Sequence, residues 1–234
     1  MSLPKLDVPL YSIKVPSTSK KINIRPLTVK EEKILLLAQQ TNSVTQTLLA
    51  IKQVINNCVQ VPNFDMNSLA IFDIEYIFLQ LRAKSINNMV SVSYKDNEDQ
   101  KLYSFDIDLE KITVDVPKKP NFKVKLTEQK TLQLKYPTLD VFDRLSDTAS
   151  EEEQFESVAI AVLDMLYDGD EVYDFRDYSK EEIQEFIESL DISMFEKIKT
   201  FIDNIPSVNH TLTYTNANGA TKKIILKGMN DFFI

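Results

Sequence analysis

The spacing of apolar residues changes period along this chain, and that change limits what it can fold into. Between Ile34 and Lys84 apolar side chains recur every three or four residues. Leu69, Phe72, Tyr76, Ile77, Phe78, Leu79 and Leu81 give a third helix wider apolar coverage, so that it is expected to be largely buried, while Val44, Leu48, Ile51, Ile55 and Cys58 step by four and three along one face. This is the period of helices that bury one face. From Met89 the period falls to two: Val90, Val92 and Tyr94 alternate with polar neighbours, and Leu102, Tyr103, Phe105 and Ile107 resume after Asp96-Asn97-Glu98-Asp99. Alternation of this kind is the mark of half-buried strands joined by a turn. Further strand-like pieces at Ile112 to Val116, Phe122 to Leu126 and Thr131 to Tyr136 predict one small antiparallel sheet. Helical spacing returns beyond Pro137, and the chain closes on His210 to Tyr214 and Lys222 to Leu226 around the turn Asn216-Ala217-Asn218-Gly219. The sum is an α+β fold with a helical N-terminal part, a small central antiparallel sheet, an acidic helical part and a C-terminal β-hairpin.

End signals place the boundaries. Pro4, Pro9, Pro16 and Pro26 punctuate an N-terminal hairpin or arm over 1–27, with strands at Leu10 to Val15 and Lys21 to Arg25. Thr28-Val29-Lys30-Glu31 is a capping box and opens the helical part, 28–86. The sheet occupies 87–137 and the acidic helical part 138–205. That part starts with a short helix at Leu139 to Leu145 and a longer one from Glu151 to about Tyr167, with Phe155, Val158, Ala159, Val162, Leu163 and Leu166 turned inward. Capping boxes at Ser179 to Glu182 and Ser193 to Glu196 predict two more helices, paired as a hairpin. The final hairpin and tail take 206–234, and Met229 to Phe233 is expected to dock into the core. These parts are expected to form one continuous unit with two sub-cores, without internal repeats.

Several classes of function conflict with the residue inventory. The 234 residues include only three glycines, Gly169, Gly219 and Gly228, none near another, so no glycine-rich phosphate loop is present and a turn-rich sandwich or barrel is disfavoured. With 27 basic against 35 acidic side chains the net charge is −8, which opposes binding to a nucleic-acid backbone. No apolar run approaches the roughly 20 residues that cross a bilayer. The N-terminus lacks the pattern of a secretory signal, and with a single cysteine this predicts a chain that works inside a cell. Cys58 lies on the apolar face of a predicted helix and reads as a small core residue. His210 is the only histidine and reads as a strand residue with no nucleophile beside it.

Two regions remain as candidate sites. Residues 140–200 hold 19 acidic and 5 basic side chains, whereas 1–40 hold 7 basic and 3 acidic. Either these are solvated faces, or each sign meets its own partner. In the acidic stretch Asp164 to Asp177 a calcium loop fails, because with Gly169 in the sixth position Leu166 falls at the third and Phe175 at the twelfth. No metal, cofactor or small-molecule substrate is expected, and no residue takes a catalytic role. Tyr173, Phe175 and Tyr178, interleaved with acids, are either packing residues or anchors for a protein partner.

Longer stretches carry a resemblance. Leu3-Pro4-Lys5 and Pro16-Ser17-Thr18 lead to Arg25-Pro26-Leu27-Thr28-Val29-Lys30-Glu31-Glu32-Lys33-Ile34-Leu35-Leu36-Leu37-Ala38, followed by Asp73 to Ser85. Lys135-Tyr136-Pro137-Thr138, Ile205-Pro206 with His210, and Gly228-Met229-Asn230-Asp231-Phe232-Phe233 complete the series. In order and spacing these resemble the baseplate hub subunits of T-even-type contractile-tailed bacteriophages, in the version carried by cyanophages. The resemblance implies a late, non-enzymatic component that helps build the central hub of the tail baseplate through contacts with other hub and tail assembly proteins. It implies assembly in the host cytoplasm and a place in the virion tail. A hub-assembly chaperone absent from the mature virion is the alternative, and a cell-wall hydrolase ranks behind both. The resemblance implies that some relatives carry cysteine pairs, of CxxC type, in the sheet or in the final hairpin. This chain has Asp96 to Asp99 and Asn216 to Gly219 there, so turn chemistry is expected to hold those hairpins without zinc. On this reading Arg25, Lys30 and Lys33 form one partner surface, and the acidic half with Tyr173, Phe175 and Tyr178 forms another.

Overall fold

A computed structural model describes residues 7–41, 43–144 and 150–228, and the chain divides into two compact units. The first comprises 1–66, 72–115 and 206–234, and the second 67–71 and 116–205. The class is α+β. The tail from Met229 and the end of the short helix at Leu145 lie outside the described residues.

In the first unit, strands β1 (Tyr11–Lys14) and β2 (Lys21–Ile24) form the expected hairpin. Helix α1 (Val29–Gln39) follows, then α2 (Val44–Cys58), capped by Ser43, whose hydroxyl accepts from the Gln46 amide at 3.2 Å. Val54, Ile55 and Cys58 are fully buried on the inner face of α2. Burial raises the Cys58 thiol to about 11, which leaves it protonated and unreactive, a core residue as its spacing predicts. Helix α3 (Ile71–Ser85) buries nine of its fifteen residues, and Leu79 and Ala83 pack with Ile107, Leu109, Ile112 and Val208.

Strands β3 (Met89–Lys95) and β4 (Leu102–Asp108) form a hairpin of their own, and β10 (Val208–Thr215) pairs with β11 (Thr221–Lys227) and with the short β5 (Thr113–Val114). A polar latch joins these two hairpins. The Tyr214 hydroxyl donates to Asp96 at 2.6 Å, the Ala217 amide and the Tyr103 hydroxyl donate to Asp99 at 2.8 and 2.6 Å, and Asn216 and Lys222 both reach Glu98. The Tyr214 ring packs within 4.7 Å of Tyr103 and 5.6 Å of Phe105, centroid to centroid. With no cysteine in either turn, these hairpins are tied by carboxylates and tyrosines. Tyr214→Phe should therefore lower the melting temperature of the first unit while preserving its circular dichroism, since the ring stays and only the donor to Asp96 is removed. Wild-type melting in that variant would show the latch to be energetically idle. The Tyr214 bond, with the turn amides, holds the Asp96 carboxyl below its usual range, so this contribution is present above the unfolded carboxyl's titration and is lost as the pH falls through the lowered value.

The second unit is built on a four-stranded antiparallel sheet in the order β6 (Lys123–Lys125), β7 (Lys130–Leu134), β8 (Leu163–Asp168) and β9 (Glu171–Asp174). Two expectations fail here. The long helix predicted from Glu151 ends at Ala161 as α4 (Glu151–Ala161), and the residues to Tyr167 form β8 instead. Val162, which caps α4, is buried just before β8, and Leu163 and Leu166, three residues apart, both point inward from the strand because of a register shift where β8 meets Gln133 and Leu134. Pairing across β7 decides the outcome: Lys130 meets Asp168 at 3.0 Å, and the Gly169 amide donates to Gln129 at 3.2 Å. The single central sheet is also corrected, since its strands are shared among three separate sheets.

Helices α5 (Lys180–Glu188) and α6 (Ile192–Asp203) close the second unit. The Ser179 box forms as expected: Ser179 donates its amide to Glu182 at 2.8 Å and accepts from the Glu182 amide at 3.2 Å. The box expected at Ser193 does not open α6. Asp191, two residues earlier, accepts from the Met194 amide at 2.8 Å and starts the helix there, as an aspartate suits a positive helix end. Leu132, Leu134, Ile160, Val162, Leu163 and Ile198 are the most buried members of the core below.

Candidate functional site

The structure separates the candidate residues into two surfaces, one on each unit. In the first unit, Pro26 and Leu27 carry the chain from β2 into α1, which brings the Arg25 guanidinium onto Glu31. Its two terminal nitrogens donate to the two carboxylate oxygens at 3.0 and 3.2 Å. Glu31 is 1% exposed and also accepts from the Thr28 amide at 2.9 Å and from Asn57 at 3.4 Å. Burial pushes the Glu31 carboxyl up, but the bonds from Arg25 and Thr28 outweigh it and hold the group at about 2. Arg25 is thus committed to an internal clamp, which leaves Lys30 and Lys33, both exposed on α1, as the bases open to solvent in this segment.

The same helix carries an apolar surface that charge counting did not reveal. Val29, Leu36 and Leu37 are 67, 52 and 65% exposed. Beside them lies an open groove of about 510 Å3, lined by Leu27, Leu35, Leu36, Ile51, Phe78 and Ile86. The sequence does hold a signal for it. Ile34 to Leu37 is a run of four apolar residues, more than one helix face can bury.

In the second unit the structure brings Tyr173, Phe175 and Tyr178 together. Tyr173 lies on β9, Phe175 sits in the 3-10 turn Phe175–Asp177, and Tyr178 precedes the Ser179 cap of α5. They line a groove of about 430 Å3 whose floor is Leu166, Phe175, Ile183 and Phe186, with Lys130, Asp168 and Glu182 at its edge. The rings of Phe175 and Phe186 lie 5.3 Å apart. Phe175 is buried, so it serves as floor, whereas Tyr178 is 40% exposed and Tyr173 turns its hydroxyl to Glu171. Asp174 is drawn off by Arg176, whose hydrogen bonds hold the Asp174 carboxyl at about 2. Gly169, the residue tested as the pivot of a calcium loop, has φ of +61° in the β8–β9 turn, and among the described residues no three His, Cys, Asp or Glu side chains are grouped to hold a metal ion. His210 sits on β10 opposite Leu226. Among the described residues no helix is long and apolar enough to cross a membrane.

Both surfaces are open and apolar at the base, with charged or phenolic groups at the rim, which is the make-up of protein contact sites. No curated protein and no solved structure matches the chain. Among known families, the one described as T4 bacteriophage base plate protein matches residues 8–234, both units and nearly the whole length, and the chain belongs to that family.

Proposed function

We propose that this baseplate protein works in the central hub, as a structural or assembly component that acts through protein contacts alone. Its role in building or forming the phage baseplate follows from the family, and its place of action is the virion tail. The hub is supported by the hub-type segments Arg25 to Ala38 and Asp73 to Ser85, which in this structure build α1, with the Arg25–Glu31 clamp at its start, and α3. The observation that carries the contact reading is the pair of apolar grooves. A chain that only packed against itself would have little reason to leave Val29, Leu36, Leu37 and Tyr178 in water. In this reading the chain performs no chemistry, needs no cofactor and, at a net charge of −8, takes other hub and tail proteins as partners rather than nucleic acid.

Cross-linking mass spectrometry of tails assembled in infected cells tests it, because Lys30 and Lys33 are exposed amines on the first surface. The expected result is cross-links from α1 to hub proteins. Charge reversal at both lysines should weaken co-purification of hub proteins with this chain, more at low salt than at high, since the attraction between exposed charges is screened over about 10 Å at 0.1 M. Cross-links confined to the outer wedges of the baseplate would overturn the hub assignment.

A further inference from the structure

The net charge of the chain is concentrated at one place. Residues 168–191 hold ten acidic and two basic side chains, a net of −8, which is the formal charge of all 234 residues. The rest of the chain carries 25 of each sign. That stretch is β9, the Phe175 turn and α5, the elements that build the groove of the second unit. Two of the ten acids are met by bases, Asp168 by Lys130 and Asp174 by Arg176, while Asp170, Asp177, Glu181 and Glu185 are exposed.

We propose that this groove receives a basic segment of a neighbouring tail protein, which seats one apolar side chain on the Phe175–Phe186 floor between Tyr173 and Tyr178 and lays Lys or Arg along the acidic rim. The proposal rests on the protein-contact reading above and adds the chemistry of the partner. Three observations support it. The floor is apolar and the rim phenolic, which suits an aromatic or aliphatic anchor. The volume, about 430 Å3, is in the range of pockets that enclose a bulky group. Of the acids on α5, Glu182 lines the groove, while Glu181, Glu185 and Glu188 are exposed elsewhere on the same nine-residue helix, about 14 Å at 1.5 Å per residue, too long a track for one small cation and suited to several bases in a row. Charge complementarity of this kind speeds encounter and sets the register of the bound segment.

The test is an array of overlapping peptides that tile the other tail proteins of the phage, probed with the labelled full-length chain at about 50 and about 300 mM salt. Bound peptides are expected to carry Lys or Arg on both sides of Phe, Leu or Ile and to fade at the higher salt. Tyr178→Ala removes an exposed rim ring, and Asp177→Lys reverses the exposed charge next to it in the chain. Each should weaken binding about tenfold or more with the circular dichroism unchanged. Bound peptides that are acidic or uncharged, or basic ones indifferent to both variants, would overturn the proposal. So would a concentration-dependent dimer abolished by the same variants, which would make a second copy of this chain the occupant. Failure here with α1 still cross-linked to hub proteins would sink the groove assignment alone. Peptide binding as predicted without hub cross-links would sink the hub assignment alone.

Discussion

Glu31→Ala is expected to destabilise the first unit by about 3 to 5 kcal/mol, the usual cost of leaving one member of a buried ion pair alone. The residue is 1% exposed and takes both terminal nitrogens of Arg25, the Thr28 amide and Asn57. Its removal leaves a guanidinium that is 18% exposed with no counter-charge, and it takes the N3 acceptor from the start of α1. Urea unfolding should show a lower midpoint with unchanged slope, and hydrogen exchange should place the loss in α1 and the end of α2. Replacing both partners, Arg25→Met with Glu31→Leu, should recover much of the deficit, because no buried charge is then left over. The wild type makes the same point in acid. The Glu31 carboxyl is lowered from 4.5 to about 2 in the fold, so its contribution is whole above about pH 4.5 and drains away as the pH falls toward 2. If Glu31→Ala unfolds at the wild-type urea concentration, the clamp is not what holds α1.

Asp73→Ala is the second large effect, about 2 to 3 kcal/mol. Asp73 is fully buried in the first turn of α3, where a carboxylate suits the helix dipole, and it accepts from both the amide and the hydroxyl of Ser17. Ser17 belongs to the turn between β1 and β2, in which Ser19 takes a φ of +59° and its amide donates to Val15 at 2.8 Å. One carboxylate therefore fastens the N-terminal hairpin to a helix 56 residues away. Asp73→Asn keeps an acceptor oxygen and should lose less than Asp73→Ala, while Ser17→Ala, which spares the amide bond, should lose less again. Equal stability of Asp73→Ala and wild type, read by urea unfolding, would refute this.

Both carboxylates lie in segments whose elements were legible from sequence, yet their partners were not. Thr28 to Glu31 announces a helix start, and Ser179 to Glu182 does the same, because a cap is written within four residues. That Arg25 turns back onto Glu31 depends on how Pro26 and Leu27 enter the helix, so a local reading leaves Arg25 beside Lys30 and Lys33 as a surface base. The Asp96–Tyr214 bond spans 118 residues and has no local trace. The strand β8 was hidden for a different reason. Val158, Ala159, Val162, Leu163 and Leu166 fit a helical stripe, and only the neighbouring β7, with Lys130 and Gln129 placed to meet Asp168 and Gly169, turns the last six residues of the run into a strand. Tyr173, Phe175 and Tyr178 were legible as a group because the turn gathers residues already close in sequence. The floor they share with Leu166, Ile183 and Phe186 needed the fold.

The central claim is that this chain is part of the phage baseplate hub, and quantitative mass spectrometry of purified particles beside infected-cell lysate tests it most directly. A hub component should appear in particles at a small fixed ratio to a hub protein of known copy number. Abundance in lysate with absence from particles would contradict a structural place in the hub and identify an assembly chaperone that leaves before the virion is complete.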